Sequence, residues 1–242
     1  MNDTKSSAGS AGLAIEHVPV TVALDPVCLE GDLSVPTAAK GAVLFAHGSG
    51  SSRRSPRNRY VADVLNEGGL ATLLIDLLTE DEQQVDLQTA HLRFDIPFLS
   101  RRLEVTTNWL ANHPEMGELN IGHFGASTGA AAALVAAAKL PHRVRAVVSR
   151  GGRPDLAGTA LTRVVAPTLL IVGGADPMVL DLNRKAMARM RCPTELRIIP
   201  GAGHLFEEPG ALKKVAVLAR DWFLGTLSRP APVNAPAVRG RS

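Results

Sequence analysis

Short, continuous apolar runs alternate along this chain with stretches whose apolar residues recur every three or four positions. The runs "GAVLFAH" (Gly41–His47), "LATLLID" (Leu70–Asp76), Leu119–Phe124, "VRAVVS" (Val144–Ser149) and "PTLLIVGG" (Pro167–Gly174) are of the kind a doubly covered sheet buries. Residues 14–23 and 27–34 predict two opening strands, readable as an antiparallel pair, and Glu195–Ile199 predicts a last one. Between them, Ser55-Pro56 offers an N-cap and a first-turn proline ahead of Val61, Val64 and Leu65, and Gly68-Gly69 stops that helix. Pro97 opens a second helix with Leu99, Leu103, Thr106 and Leu110 on one face. Thr128–Leu140, Met178–Met190 and the series Leu212, Val215, Ala219, Trp222 predict three more. The polar segment "LLTEDEQQVDLQTAHLRFD" shows no clear periodicity, and a short loop-helix region separates Val144–Ser149 from Pro167. Strand–helix alternation of this kind predicts an α/β fold, a mostly parallel sheet with helices on both faces.

Length and composition bound the rest. The 242 residues suffice for one sizeable core, and 45% hydrophobic with 20% charged residues is ordinary for a globular protein. Residues 1–12, rich in Ser, Gly and Ala, read as a disordered start; 13–227 as one domain; the Pro- and Ala-rich residues 228–242 as a flexible tail. No apolar run approaches the roughly 18 residues of a membrane span, and the N-terminus lacks the apolar stretch of a secretory signal. The two cysteines, Cys28 and Cys192, have no metal-type spacing and read as reduced thiols, so a cytoplasmic location without membrane association is expected. A net charge of +3 with 4% aromatic residues supplies little for base stacking, and no nucleic-acid partner is expected. Neither a metal cluster nor a dinucleotide glycine motif is apparent, so no cofactor is expected.

The chemistry lies at the joints. In an open parallel sheet, reactive groups gather where strands end. Gly125-Ala126-Ser127-Thr128-Gly129 puts a serine at the turn from one strand into an alanine-rich helix. Asp176 follows a later strand in "LLIVGGADPM", and His204 follows the next in "LRIIPGAGHLF". Ser…Asp…His is the order of a nucleophile-elbow hydrolase. A serine hydroxyl is a weak nucleophile alone; His204 would take its proton and Asp176 would orient the imidazole. An oxyanion needs backbone donors, expected here from the N–H of Thr128 and, in "HGSGSS" (His47–Ser52), of Ser49.

With these motifs in place the sequence resembles the α/β-hydrolase superfamily, and within it the dienelactone-hydrolase-like branch, over roughly Val27 to Leu227. "FAHGSGSSRRSPRNRYVA", "LLIDLLTEDE" and "SRGGRPDLAG" look like a bacterial group sometimes joined to a phosphoribosyltransferase domain; these 242 residues read as the hydrolase part. The resemblance implies an α/β-hydrolase fold without a large cap domain and hydrolysis of an ester. Dienelactone hydrolases proper carry cysteine at the elbow, and Ser127 shifts the expectation toward serine-esterase chemistry on a small carboxylic ester, thioester or lactone. Acyl transfer by the same triad, or a binding protein that keeps the fold, stay open. Arg53 and Arg150, after two different strands, are expected to bind an anionic group on the substrate; surface exposure or pairing with Thr79–Glu82 would account for the arginines equally. Asp76 reads as an acceptor for loop N–H groups, and His47 and His123 as loop and core packing.

Overall fold

The computed structural model describes residues 13–228, so the readings of residues 1–12 and of the tail beyond Ser228 lie outside the described residues. Two long strands, β1 (Ile15–Leu24) and β2 (Val27–Pro36), pair antiparallel as expected. Six strands then run parallel: β3 (Ala42–Ala46), β4 (Ala71–Ile75), β5 (Ile121–Ala126), β6 (Val144–Arg150), β7 (Thr168–Gly173) and β8 (Thr194–Ile199). The sheet order is β1-β2-β4-β3-β5-β6-β7-β8, with β2 antiparallel to β4. The chain steps from β3 to β4 on one side and returns to β5 on the other. A crevice therefore opens between the carboxyl ends of β3 and β5, where ligands of such sheets bind.

Helices cover both faces. On one lie α1 (Pro56–Glu67) and the last helix, Ala211–Leu227, against Phe45, Phe124 and Val148. On the other lie Ile96–Ala111 and Thr128–Lys139, packed on Leu44, Leu73 and Ile121. Six alanines of the second are fully buried. Their small side chains let this helix sit close against the strand it follows. Ser55 caps α1 by accepting the N–H of Asn58, as the Ser-Pro pair predicted. Leu99, Leu103, Thr106 and Leu110 are all buried.

One element escaped the periodicity. Glu80–Thr89 is a helix, α2, inside the segment that showed none. Its signal is a capping box: Thr79 Oγ1 accepts the N–H of Glu82, whose carboxylate accepts the N–H of Thr79. Apolar side chains do not hold α2 down; a buried arginine does. Arg102 forms two 2.6 Å bonds to Glu82 and a third to the Leu77 carbonyl, with its guanidinium over the Phe98 ring. The remaining helices are α3 (Ile96–Ala111), α4 (Thr128–Lys139), α5 (Pro177–Met187) and α6 (Ala211–Leu227).

Candidate active site

The turn from β5 into α4 has the geometry that its glycines permit. Ser127 lies at φ 51°, ψ −121°, a strained conformation for a residue with a side chain. A Cβ at Gly125 would fall 2.4 Å from Ala130 Cα, and one at Gly129 only 2.3 Å from the Ala46 carbonyl oxygen. The two positions flanking the serine therefore exclude any side chain, because the first turn of α4 lies against the ends of β5 and β3. Strain held by such packing is typical of a functional corner. The N–H of Ser127 donates to the Arg150 carbonyl at the end of β6, which fixes the elbow laterally.

Asp176 and His204 meet, as their placement after β7 and β8 predicted. His204 Nδ1 lies 2.8 Å from Asp176 Oδ2, while Asp176 Oδ1 accepts the N–H of Val179 in the first turn of α5. One carboxylate oxygen thus anchors the acid and the other orients the imidazole. The two loops are joined by the N–H of Ala175 on the Ala202 carbonyl, and the Gly203 N–H is closed by Glu208. The His204 side chain is 39% exposed, open to a reacting group, whereas that of Asp176 is 14% exposed. Gly151 ties His204 to the elbow. It directly follows the residue that receives the Ser127 N–H, and a Cβ there would lie 3.6 Å from His204 Cε1. No hydrogen bond links Ser127 Oγ to His204 among the described residues.

The loop after β3 is pinned at three points. Buried His47 accepts the Leu77 N–H at Nε2, and its Nδ1 lies 3.0 Å from the Gly48 carbonyl. Burial lowers its pKa below the ordinary histidine value, so the neutral ring bridges β3 to the end of β4. Asp76 accepts the Arg53 N–H at 2.6 Å, the acceptor role expected of it. Ser49 N–H and Ser49 Oγ both lie 3.1 Å from Thr128 Oγ1. The two residues expected to form the oxyanion site are thus adjacent, but the Ser49 donor is engaged by Thr128 in this state. Next to this loop lies a cleft of about 540 Å³, part of it open solvent, lined by Ser49, Thr128 and, from the segment 78–95, Leu78, Gln83, Leu87 and Arg93.

The two arginines separate. Arg53 is placed differently from expectation: its guanidinium bonds Asp76 and Glu30 and sits 3.6 Å from Asp32. Burial works against its charge, but these three carboxylates raise its pKa above the ordinary arginine value. A guanidinium so neutralised anchors the loop and has no free fork for a substrate anion. Arg150 is the reverse, a buried guanidinium without a carboxylate partner among the described residues. The acidic run Thr79–Glu82 pairs with neither; Glu82 is taken by Arg102. His123 is buried against Thr107, a core role, and burial lowers its pKa to about 4.

The sequence model of the Dienelactone hydrolase family matches residues 29–223, from β2 almost to the end of α6. This chain belongs to that family. A dienelactone hydrolase of Anabaena variabilis is 58% identical, with a TM-score of 0.86 over 88% of this chain and 99% of that one. A Mycobacterium tuberculosis protein provisionally named a phosphoribosyl transferase is 57% identical over 213 residues, 88% of this chain but 47% of that protein. The chain therefore spans about half the length of this relative. Est1E of Butyrivibrio proteoclasticus, 16% identical, shares the fold with a TM-score of 0.72 over 86% of this chain and 98% of its own. No described helix is long and apolar enough to cross a membrane.

Proposed function

We propose that this family member is a serine hydrolase that cleaves a carboxylic ester of a small substrate through an acyl-enzyme. The observation that carries the reading is the 2.8 Å pair of His204 and Asp176, next to the Arg150-Gly151 corner whose Arg150 carbonyl takes the N–H of the strained elbow serine. In this reading Ser127 Oγ attacks the ester carbonyl as His204 Nε2 takes its proton. Asp176 keeps Nδ1 protonated and stabilises the transient imidazolium. The negative oxygen of the tetrahedral intermediate is met by the Thr128 N–H, one of the first N–H groups of α4 that lack an intrahelical partner. Ser49 N–H joins it by turning from Thr128 Oγ1. His204 then protonates the leaving alcohol, the ester C–O bond breaks, and water repeats the sequence to release the acid and restore the serine hydroxyl.

The cleft of about 540 Å³ beside Ser49 and Thr128 supports a small acyl group. The transferase name belongs to a protein of which this chain covers 47%, whereas the hydrolase match spans residues 29–223 of this chain. The test is covalent labelling by a fluorophosphonate probe together with hydrolysis of p-nitrophenyl esters. Wild-type protein is expected to label and turn over, and Ser127→Ala to do neither while melting at a similar temperature. Labelling that persists in the alanine variant would put the nucleophile elsewhere.

A further inference from the structure

Beside the Gly151 corner that carries His204, two arginines lie near enough to repel each other, with little negative charge to offset them. Arg150 is the last residue of β6, 8% exposed, and its Nε and Nη1 are buried without a hydrogen-bond partner. Strand alternation puts it on the same face as Ala146 and Val148, toward α1 and α6. Arg57 approaches from the first turn of α1 on that face, close enough that its charge disfavours that of Arg150. Its own Nε is also buried and unpartnered. Among the described residues the one carboxylate on the pair is Glu207, 3.1 Å from Arg57 Nη1 and itself 66% exposed, a weak surface contact. Burial, then Arg57, lower the Arg150 pKa to about 10, so the guanidinium stays charged at neutral pH.

A buried, unpaired charge beside a like charge is among the costliest arrangements a core can hold. A hydrophobic residue of similar length would fill the position at less cost. The arrangement becomes favourable once an oxyanion bridges both guanidinium forks, which fit carboxylate and phosphate oxygens. The N-terminus of the 12-residue α1 adds a partial positive charge on the same side. We propose that Arg150 and Arg57 bind a small oxyanion, a carboxylate or phosphate group, beside the Gly151 corner. The anion has two possible sources. It is either part of the ester substrate, which rests on the hydrolase reading, or a free ion that braces the Gly151 corner, which does not.

The experiment measures binding of inorganic phosphate to the full chain by calorimetry, at constant ionic strength set with chloride. Wild-type protein is expected to bind saturably, Arg150→Met at least tenfold more weakly, and Glu207→Gln more tightly because the competing carboxylate is gone. Arg150→Met removes an unsatisfied charge and should fold; if it does not, Arg57→Gln is read in its place with the same expected loss. Phosphate that raises KM for a p-nitrophenyl ester ending in a carboxylate, and not for its neutral counterpart, assigns the site to substrate. Phosphate that binds while both KM values hold assigns it to a free ion. Equal phosphate affinity in wild type and Arg150→Met, or no binding at all with an unaltered preference between the two esters, would overturn the proposal. Phosphate binding needs no turnover, so the site stands or falls independently of whether Ser127 is the nucleophile.

Discussion

Replacing Arg53 with methionine separates a loop anchor from a substrate receptor, because the two roles leave opposite traces. The Arg53 side chain is 13% exposed and bonds Asp76, itself 20% exposed, in addition to Glu30 and Asp32. A hydrogen bond to a charged group is worth about 1.5–3 kcal/mol, which sets the scale for the Asp76 contact. The contacts to Glu30 and Asp32 are more exposed and together add about 0–1 kcal/mol after screening. The expected loss is thus about 1.5–4 kcal/mol, or roughly 3–16 °C in Tm for a domain of this size. Asp76 keeps the Arg53 N–H, so the loop loosens without detaching. Thermal unfolding gives the stability change, and kcat/KM on matched neutral and carboxylated p-nitrophenyl esters gives the functional one. Both esters should slow by the same factor, since a displaced Ser49 loop is blind to the acyl tail. Asp76→Asn should produce a similar drop, and the double variant little more than either, as for two residues acting through one contact. An unchanged Tm with a selective tenfold loss on the carboxylated ester would refute the reasoning and return Arg53 to the substrate.

Two further outcomes concern the histidines. If Ser127 and His204 act as a unit, kcat/KM of the double variant Ser127→Ala/His204→Ala should be scarcely below either single variant, whereas multiplying losses would give the histidine a separate role. His123 is held neutral, its pKa lowered from 6.5 to about 4, so between those pH values the unfolded chain binds a proton the folded one does not. Stability present above pH 6.5 therefore falls as pH drops toward 4, by about 3 kcal/mol from this residue. Denaturant melts at pH 6.5 and pH 4 should show that loss reduced in His123→Gln, and an identical pH dependence in the variant would assign it to other groups.

What the sequence disclosed was whatever depends on local pattern. Strands buried on both faces are continuous apolar runs, and each helix with an apolar stripe announced itself by spacing. The elbow was legible because its two glycines are demanded by backbone contacts within one strand-turn-helix unit. Asp176 and His204 were legible because a parallel sheet sends every strand end to one edge. The hidden helix was α2, which has few apolar side chains to show a period. It is secured from outside by Arg102, 20 residues along the chain from Glu82, and only the Thr79/Glu82 capping pair betrayed it.

The arginines mark the boundary of that legibility. Arg53 and Arg150 have the same side chain, and each stands at or beyond the carboxyl end of a parallel strand, yet the fold gives them opposite electrostatics. Arg53 finds Glu30 and Asp32 because β2 lies antiparallel to β4 and brings acidic residues 23 and 21 positions away alongside Asp76. Local spacing cannot show this, since the pairing is set by the order of strands in the sheet. Arg150, two strands beyond β3 in the sheet, meets no such edge and points into the layer under α1 and α6. A charge on the surface can find water wherever it lies, but a charge in that layer needs a partner, and Arg57 is the wrong sign. The missing negative charge is therefore itself structural information. It separates the arginine that the fold has already neutralised from the one still able to receive an anion.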